Sequence, residues 1–209
     1  MRPPWRRASM PEAQANPQSA LTPGLTPTPG QTVGPFYHYA LPFEDGEHLV
    51  PAGSPGSVRL HGTVTDGHGA PVPDALLEIW QADTDGRVVR AQGSLRRDPG
   101  VFTGFGRTQT WRDGGYSFTT LEPGTTTEGA APFIAMTVFA RGLLNRLFTR
   151  IYLPEPESAL ASDTLLASLE PADRATLVAT REVDGSLRFD VRLQGEGETV
   201  FLRYPRHEV

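Results

Sequence analysis

Residues 57–65 read Ser57-Val58-Arg59-Leu60-His61-Gly62-Thr63-Val64-Thr65, and their alternation decides the fold. Val58, Leu60 and Val64 fall on one side of an extended chain, and Arg59, His61, Thr63 and Thr65 on the other, the period of two expected of a half-buried strand. Working outward, Asp66-Gly67-His68-Gly69 reads as a turn. Beyond Pro71 and Pro73, the stretch Ala75-Leu76-Leu77-Glu78-Ile79-Trp80 predicts a second strand. It is closed by Asp83-Thr84-Asp85-Gly86, where aspartates can bond nearby backbone N–H groups and glycine accepts a positive φ. Further strands are predicted over residues 116–120, 134–140, 149–153, 187–194 and 199–203, a spacing that suits an all-β sandwich. Helical signals are short: residues 143–148, residues 163–168, and a turn opening at Pro171, whose fixed φ suits a first helical position. The expected fold is therefore all-β, a β-sandwich with a few short helices.

The bulk numbers agree. A chain of 209 residues has room for one ordinary domain, and 22 glycines with 20 prolines exceed the roughly 12% of average chains while hydrophobic residues still make up 38%. Residues 1–30, rich in Pro, Ala, Gln, Ser and Thr, bury too little apolar surface to offset their ordering entropy, so they are expected to be a disordered arm before a domain spanning 31–209. The net charge of -5 and the lack of a long basic run argue against nucleic-acid binding. No apolar run is long enough to span a bilayer and no signal peptide is recognisable, so the expected location is cytoplasmic, without membrane contact. With no cysteine, thiolate metal sites and thiol nucleophiles are excluded.

Chemistry-bearing residues are sparse. The five histidines are His38, His48, His61, His68 and His207, and none forms an HxH or HxxxH pair. Only His61 lies on a predicted strand, opposite its apolar side, where a hydrogen-bonded or solvent-facing role is the expectation. No GxSxG nucleophile turn or phosphate loop is present, and Asp83 with Asp85 and Glu155 with Glu157 lie in turns that read as solvated loops.

Residues 133–140 stand apart, because both alternating faces are apolar: Phe133, Ala135, Thr137 and Phe139 on one, Ile134, Met136, Val138 and Ala140 on the other. A strand of a two-layer sandwich ordinarily shows one face to water. A second cover is expected here, from a loop or helix of this chain or from another subunit.

Four blocks then resemble the intradiol ring-cleaving dioxygenases: Gln31-Thr32-Val33-Gly34-Pro35-Phe36-Tyr37, Leu77-Glu78-Ile79-Trp80-Gln81-Ala82-Asp83, Phe139-Ala140-Arg141-Gly142-Leu143-Leu144 and Gln194-Gly195-Glu196-Gly197-Glu198-Thr199-Val200-Phe201. Each is modestly specific alone, and the similarity runs over residues 28–204. The resemblance implies a family in which catalytic members bind Fe(III) through two tyrosines and an HxH pair of histidines that follows a proline. Hard phenolate oxygens suit a hard ferric ion. The matching strand here reads Pro132-Phe133-Ile134-Ala135, so Phe133 and Ala135 stand where those histidines would be, and the tyrosine positions fall near Ser94 or Leu95 and near Thr125 or Thr126.

The emptied set resembles the iron-free α-type subunits of the family's heteromeric members. What that implies is a homologous β subunit carrying two Tyr and two His ligands to Fe(III), cleavage of 3,4-dihydroxybenzoate by O2 to 3-carboxy-cis,cis-muconate, and a higher oligomer of αβ units. This chain would line the substrate pocket with Thr32, Gly34 and Pro35, with Phe36 where tyrosine is common, and would supply no catalytic or metal-binding group. Arg141 would sit near the interface as a donor to a carboxylate or to the partner, or be a plain surface arginine. The vacated ligand positions are Phe133, Ala135, Leu95 and Thr126, and the face they leave is expected to pack shut. Two rivals are a non-catalytic transthyretin-like or carboxypeptidase-regulatory-like sandwich module, suggested by Gly62-Thr63-Val64-Thr65-Asp66 with Gly69 and Pro71, and a self-sufficient dioxygenase with displaced ligands.

Overall fold

The computed structural model describes residues 34, 36–89, 98 and 100–204, together with the backbone of Arg6–Arg7. The elements in order are β1 (Arg6–Arg7), α1 (Tyr37–Ala40), β2 (Ser57–Thr65), β3 (Leu76–Gln81), β4 (Phe105–Gln109), β5 (Gly115–Leu121), β6 (Phe133–Phe139), β7 (Leu147–Tyr152), α2 (Glu157–Ser162), a 3-10 turn (Leu166–Ser168), α3 (Pro171–Ala175), β8 (Thr180–Arg181), β9 (Leu187–Arg188), β10 (Val191–Arg192) and β11 (Leu202–Arg203). One sheet runs β1-β11-β7-β6-β3-β4, and the other runs β10-β2-β9-β8 with β5 on the far side of β2.

β2 alternates as its sequence requires, with Val58, Leu60, Gly62 and Val64 buried. It pairs antiparallel with β5 from Ser57↔Leu121 to Thr63↔Gly115. Gly62 is demanded by close approach: a Cβ there would overlap the Phe189 carbonyl. Between the sheets lie Leu60, Val64, Leu77, Ile79, Tyr116, Phe118, Ile134, Met136, Val138 and Ile151. Tyr116 is fully buried and donates its hydroxyl to the Phe189 carbonyl at 2.6 Å. Burial each of Ile134, Met136 and Val138 contributes about 1.5–3 kcal/mol, which fixes the inward face of β6.

Three departures from the sequence reading have local causes. The predicted strand over 187–194 is split into β9 and β10, both parallel to β2, because Asp190 puts its carboxylate into the ladder and accepts the backbone N–H and hydroxyl of Thr63, each at 2.9 Å. The helix expected over 143–148 does not form. Gly142 turns the chain at φ 91°, Leu143 is buried while Leu144 is exposed, and Leu147 and Phe148 already pair with Val138 and Thr137. β4 was not predicted, since its inward positions are the small Gly106 and Thr108 while Phe105 and Arg107 face outward, inverting the usual hydropathy pattern. The Asp66 and Asp83 turns, with Gly69 and Gly86 at φ 80°, form as read. Pro171 stands at the start of α3.

Residues 157–178 do more than decorate the sandwich. Leu160, Leu165, Leu166 and Leu177 join Tyr152, Val200 and Leu202 in a second apolar cluster on the outward side of the first sheet, with Phe133 and Phe148 packed against it. Of residues 1–30, only the backbone of Arg6–Arg7 is described, paired with Arg203 and Leu202.

Candidate functional site

β6 sits between β3 and β7, so its outward residues have neighbours on both sides. Phe133 lies beside Tyr152, and Ala135 between Trp80 and Arg150. These outward positions are half-buried, neither open nor packed shut. The cover expected over this strand comes at its first end from the chain's own 157–178 segment.

Polar groups complete that end. The Arg150 guanidinium lies over the Phe133 ring, 4.0 Å from its centroid, and donates Nη1 to the Tyr152 hydroxyl at 3.2 Å. Tyr152 in turn donates to Asp163 Oδ1 at 3.1 Å. The buried Asp163 carboxylate also accepts the backbone N–H groups of Leu165, Leu166 and Ala131. Burial pushes the Tyr152 phenol well above its usual range; Arg150 opposes this and Asp163 adds to it. Burial by itself would lower the Arg150 pKa, but its phenol partners Tyr152 and Tyr204 outweigh that and raise it. The cluster therefore holds a neutral phenol and a fixed cation, a poor setting for an anionic tyrosinate or a metal ion.

Phe133 and Ala135 offer no donor atom, and Thr126 lies exposed in the loop between β5 and β6. Among the described residues, no group of three or more His, Asp or Glu could hold a metal ion. The described residues at these positions do not fit a ferric site. Leu95, Thr32 and Pro35 lie outside the described residues.

At the other end of the same face, Tyr37 stacks on Phe139 with centroids 5.9 Å apart and planes at 15°. That contact brings α1, and with it Gly34 and Phe36, to the end of β6 from which Arg141 follows two residues later. Phe36 is 74% exposed. Arg141 is not a free surface arginine: its Nε lies 3.3 Å from the nearly buried Asp74 carboxylate, while the side chain stays 64% exposed. Sequence reasoning missed Asp74, and also Arg150, which carries no motif.

His61, the one strand-borne histidine, bonds through Nε2 to Glu182 at 3.0 Å and to Ser186 at 3.2 Å, the hydrogen-bonded role expected of it. A groove of about 450 Å³ is lined by Pro42, Glu47, His48, Arg59, Arg107 and Trp111; none of the site residues named from the sequence borders it.

Against this geometry, comparison with known proteins is specific. The family model described as Dioxygenase matches residues 32–195. The chain belongs to that family, the intradiol ring-cleaving dioxygenases, which depend on iron as a family. More particularly, it is similar to the protocatechuate 3,4-dioxygenase alpha chain of Pseudomonas putida, 40% identical over 200 residues that cover 86% of this chain and 98% of that one. The alpha chain of the Burkholderia cepacia enzyme is 38% identical over 204 residues, covering 85% and 98%, and the beta chain from the same organism is 31% identical over 174, covering 75% and 73%. The dioxygenase domain of a dioxygenase carbohydrate-binding protein fusion from Streptomyces sp. SirexAA-E superposes with a TM-score of 0.54 at 28% identity, over 81% of this chain and 99% of that one. The family match removes the transthyretin-like alternative. Among the described residues no helix is long and apolar enough to cross a membrane.

Proposed function

We propose that this chain is the non-iron-binding, α-type subunit of a protocatechuate 3,4-dioxygenase. It acts with a homologous β subunit whose two tyrosines and two histidines hold Fe(III). The complex cleaves 3,4-dihydroxybenzoate with O2 to 3-carboxy-cis,cis-muconate. Held by the partner's two tyrosines and two histidines, Fe(III) would supply a Lewis-acidic site for the catechol oxygens.

The observation that carries this reading is the outward face of β6, where Phe133 and Ala135 replace the donor pair and the Arg150 cation lies 4.0 Å from the Phe133 ring. It is supported by similarity to α chains over 98% of their length. The chain's own part is to shape the pocket: Thr32, Gly34, Pro35 and Phe36 line it and exclude water, and Arg141, held by Asp74, offers its remaining N–H groups to a carboxylate or to the partner. Among the described residues, a Cβ at Gly34 would meet nothing within 4 Å, which leaves this position open to a docking partner. Several such αβ units assemble together.

The test is to purify the chain alone and with its partner. Alone it should be colourless, carry no stoichiometric iron and leave 3,4-dihydroxybenzoate intact; with the partner, ring opening should appear. Stoichiometric iron with turnover in the isolated chain would overturn the reading.

A further inference from the structure

One side chain of the outer sheet face holds the segment that leads out of Phe36. Arg107, on β4, is mostly buried, as is Glu78 on β3, its cross-strand neighbour. Its Nε and Nη2 donate to one Glu78 oxygen at 2.8 and 2.6 Å, while Nη1 donates to the Leu41 carbonyl at 2.9 Å. The rings of Phe43 and Phe105 flank the guanidinium, with centroids 5.8 and 5.5 Å from its central carbon. The backbone joins in: Arg107 N–H donates to the Gly46 carbonyl at 2.8 Å, and a Cβ on Gly46 would come within 2.7 Å of the Arg107 carbonyl, so a side chain there would break the approach. Leu41 closes α1 through its N–H to Tyr37. The fork thus grips the C-cap of the one-turn helix whose N-cap is Phe36.

A buried arginine–glutamate pair is a poor device for stability, because desolvating both charges costs about what their attraction returns. A planar fork with its orientation locked by a carboxylate is a good device for fixing where a carbonyl sits. We propose that Arg107, oriented by Glu78, is a positioning residue for the ring-cleaving reaction: by holding Leu41 at the C-cap of α1 it fixes Phe36, the N-cap of the same helix, at the substrate pocket and so governs how the aromatic substrate binds. This rests on the reading that Phe36 and its chain neighbours line the pocket.

The test uses the αβ complex, assayed by O2 uptake with 3,4-dihydroxybenzoate. Arg107→Met keeps the aliphatic stem and removes the fork; KM should rise about tenfold with kcat within about twofold, the pattern of lost substrate positioning without lost chemistry. Arg107→Lys, able to serve one acceptor at a time, should fall between. Arg181→Gln, which breaks the exposed pair with Glu122, should change neither constant. Pro35→Ala, run in parallel, should raise KM if the pocket reading holds. A raised KM in Pro35→Ala with none in Arg107→Met overturns the positioning role and leaves the reading intact; no effect in either removes the reading and the inference with it. A fall in kcat at unchanged KM in Arg107→Met also overturns it, since that marks lost active complex. Should Arg107→Met fail to assemble, Glu78→Gln decides by the same ratio: a KM raised about threefold supports the role and an unchanged KM overturns it.

Discussion

The two ends of the outward face of β6 are finished differently. At Phe133 the chain closes on itself, with the leucines of residues 157–178 over Tyr152 and a relay of hydrogen bonds from Arg150 through Tyr152 to Asp163. At Phe139 the cover is a single turn of helix, fixed by one ring stack and by Arg107, with Phe36 and Tyr39 74% and 75% exposed. Strand and face are the same at both ends, yet one is satisfied internally and the other presents large rings to the outside. Clustered exposed aromatics beside an anchored segment suit a surface meant to be covered. On the proposed function, the emptied metal region belongs to the closed end and the contribution to catalysis to the open one.

The contrast can be broken most forcefully at the closed end. Asp163→Ala strips the acceptor from three backbone N–H groups and the Tyr152 hydroxyl and should cost about 3–5 kcal/mol in urea denaturation; a loss under about 1 kcal/mol would mean that end does not depend on the relay. At the open end, Phe36→Ser with Tyr39→Ser should leave the chain's stability within about 0.5 kcal/mol but weaken association with the partner about tenfold by sedimentation, since exposed rings contribute only when covered. Equal affinity would place the interface elsewhere.

Tyr152→Phe should have the smallest effect, about 1 kcal/mol at neutral pH, and should show its character in alkali. Burial, first, raises Tyr152 above its ordinary 10.0, so the folded chain keeps a proton that the unfolded chain releases. Its stabilising contribution is complete below pH 10.0 and is lost as pH rises through the higher folded value. The wild-type melting temperature should therefore fall more steeply than that of Tyr152→Phe between about pH 9 and 11, with the buried Tyr116 giving both a common slope. Parallel slopes would mean that Tyr152 titrates normally.

Much of this arrangement was legible before any coordinates. Period-two alternation located β2, an apolar run closed by an Asx and glycine turn located β3, strand spacing located β5, and the doubly apolar run of residues 133–140 announced a strand needing cover on both sides. The resemblance named Gly34, Phe36 and Arg141 as pocket residues, and the Tyr37–Phe139 stack sets α1 against the end of β6. β4 stayed hidden because its inward residues are small, and the break between β9 and β10 because a single aspartate borrowed the ladder's hydrogen bonds.

The order of side chains alone determined the sandwich, its Asx and glycine turns and the absence of donor atoms at Phe133 and Ala135, since each follows from local chemistry repeated at short spacing. Only the tertiary structure decided what stands beside Phe133 and Ala135 and what holds α1. Arg150 reaches Phe133 from 17 residues away, Asp163 reaches Ala131 across 32, and Arg107 reaches Leu41 across 66. Such partners have no preferred separation along the chain; they meet because two sheets and a returning helical segment bring their backbones together, which no periodicity records.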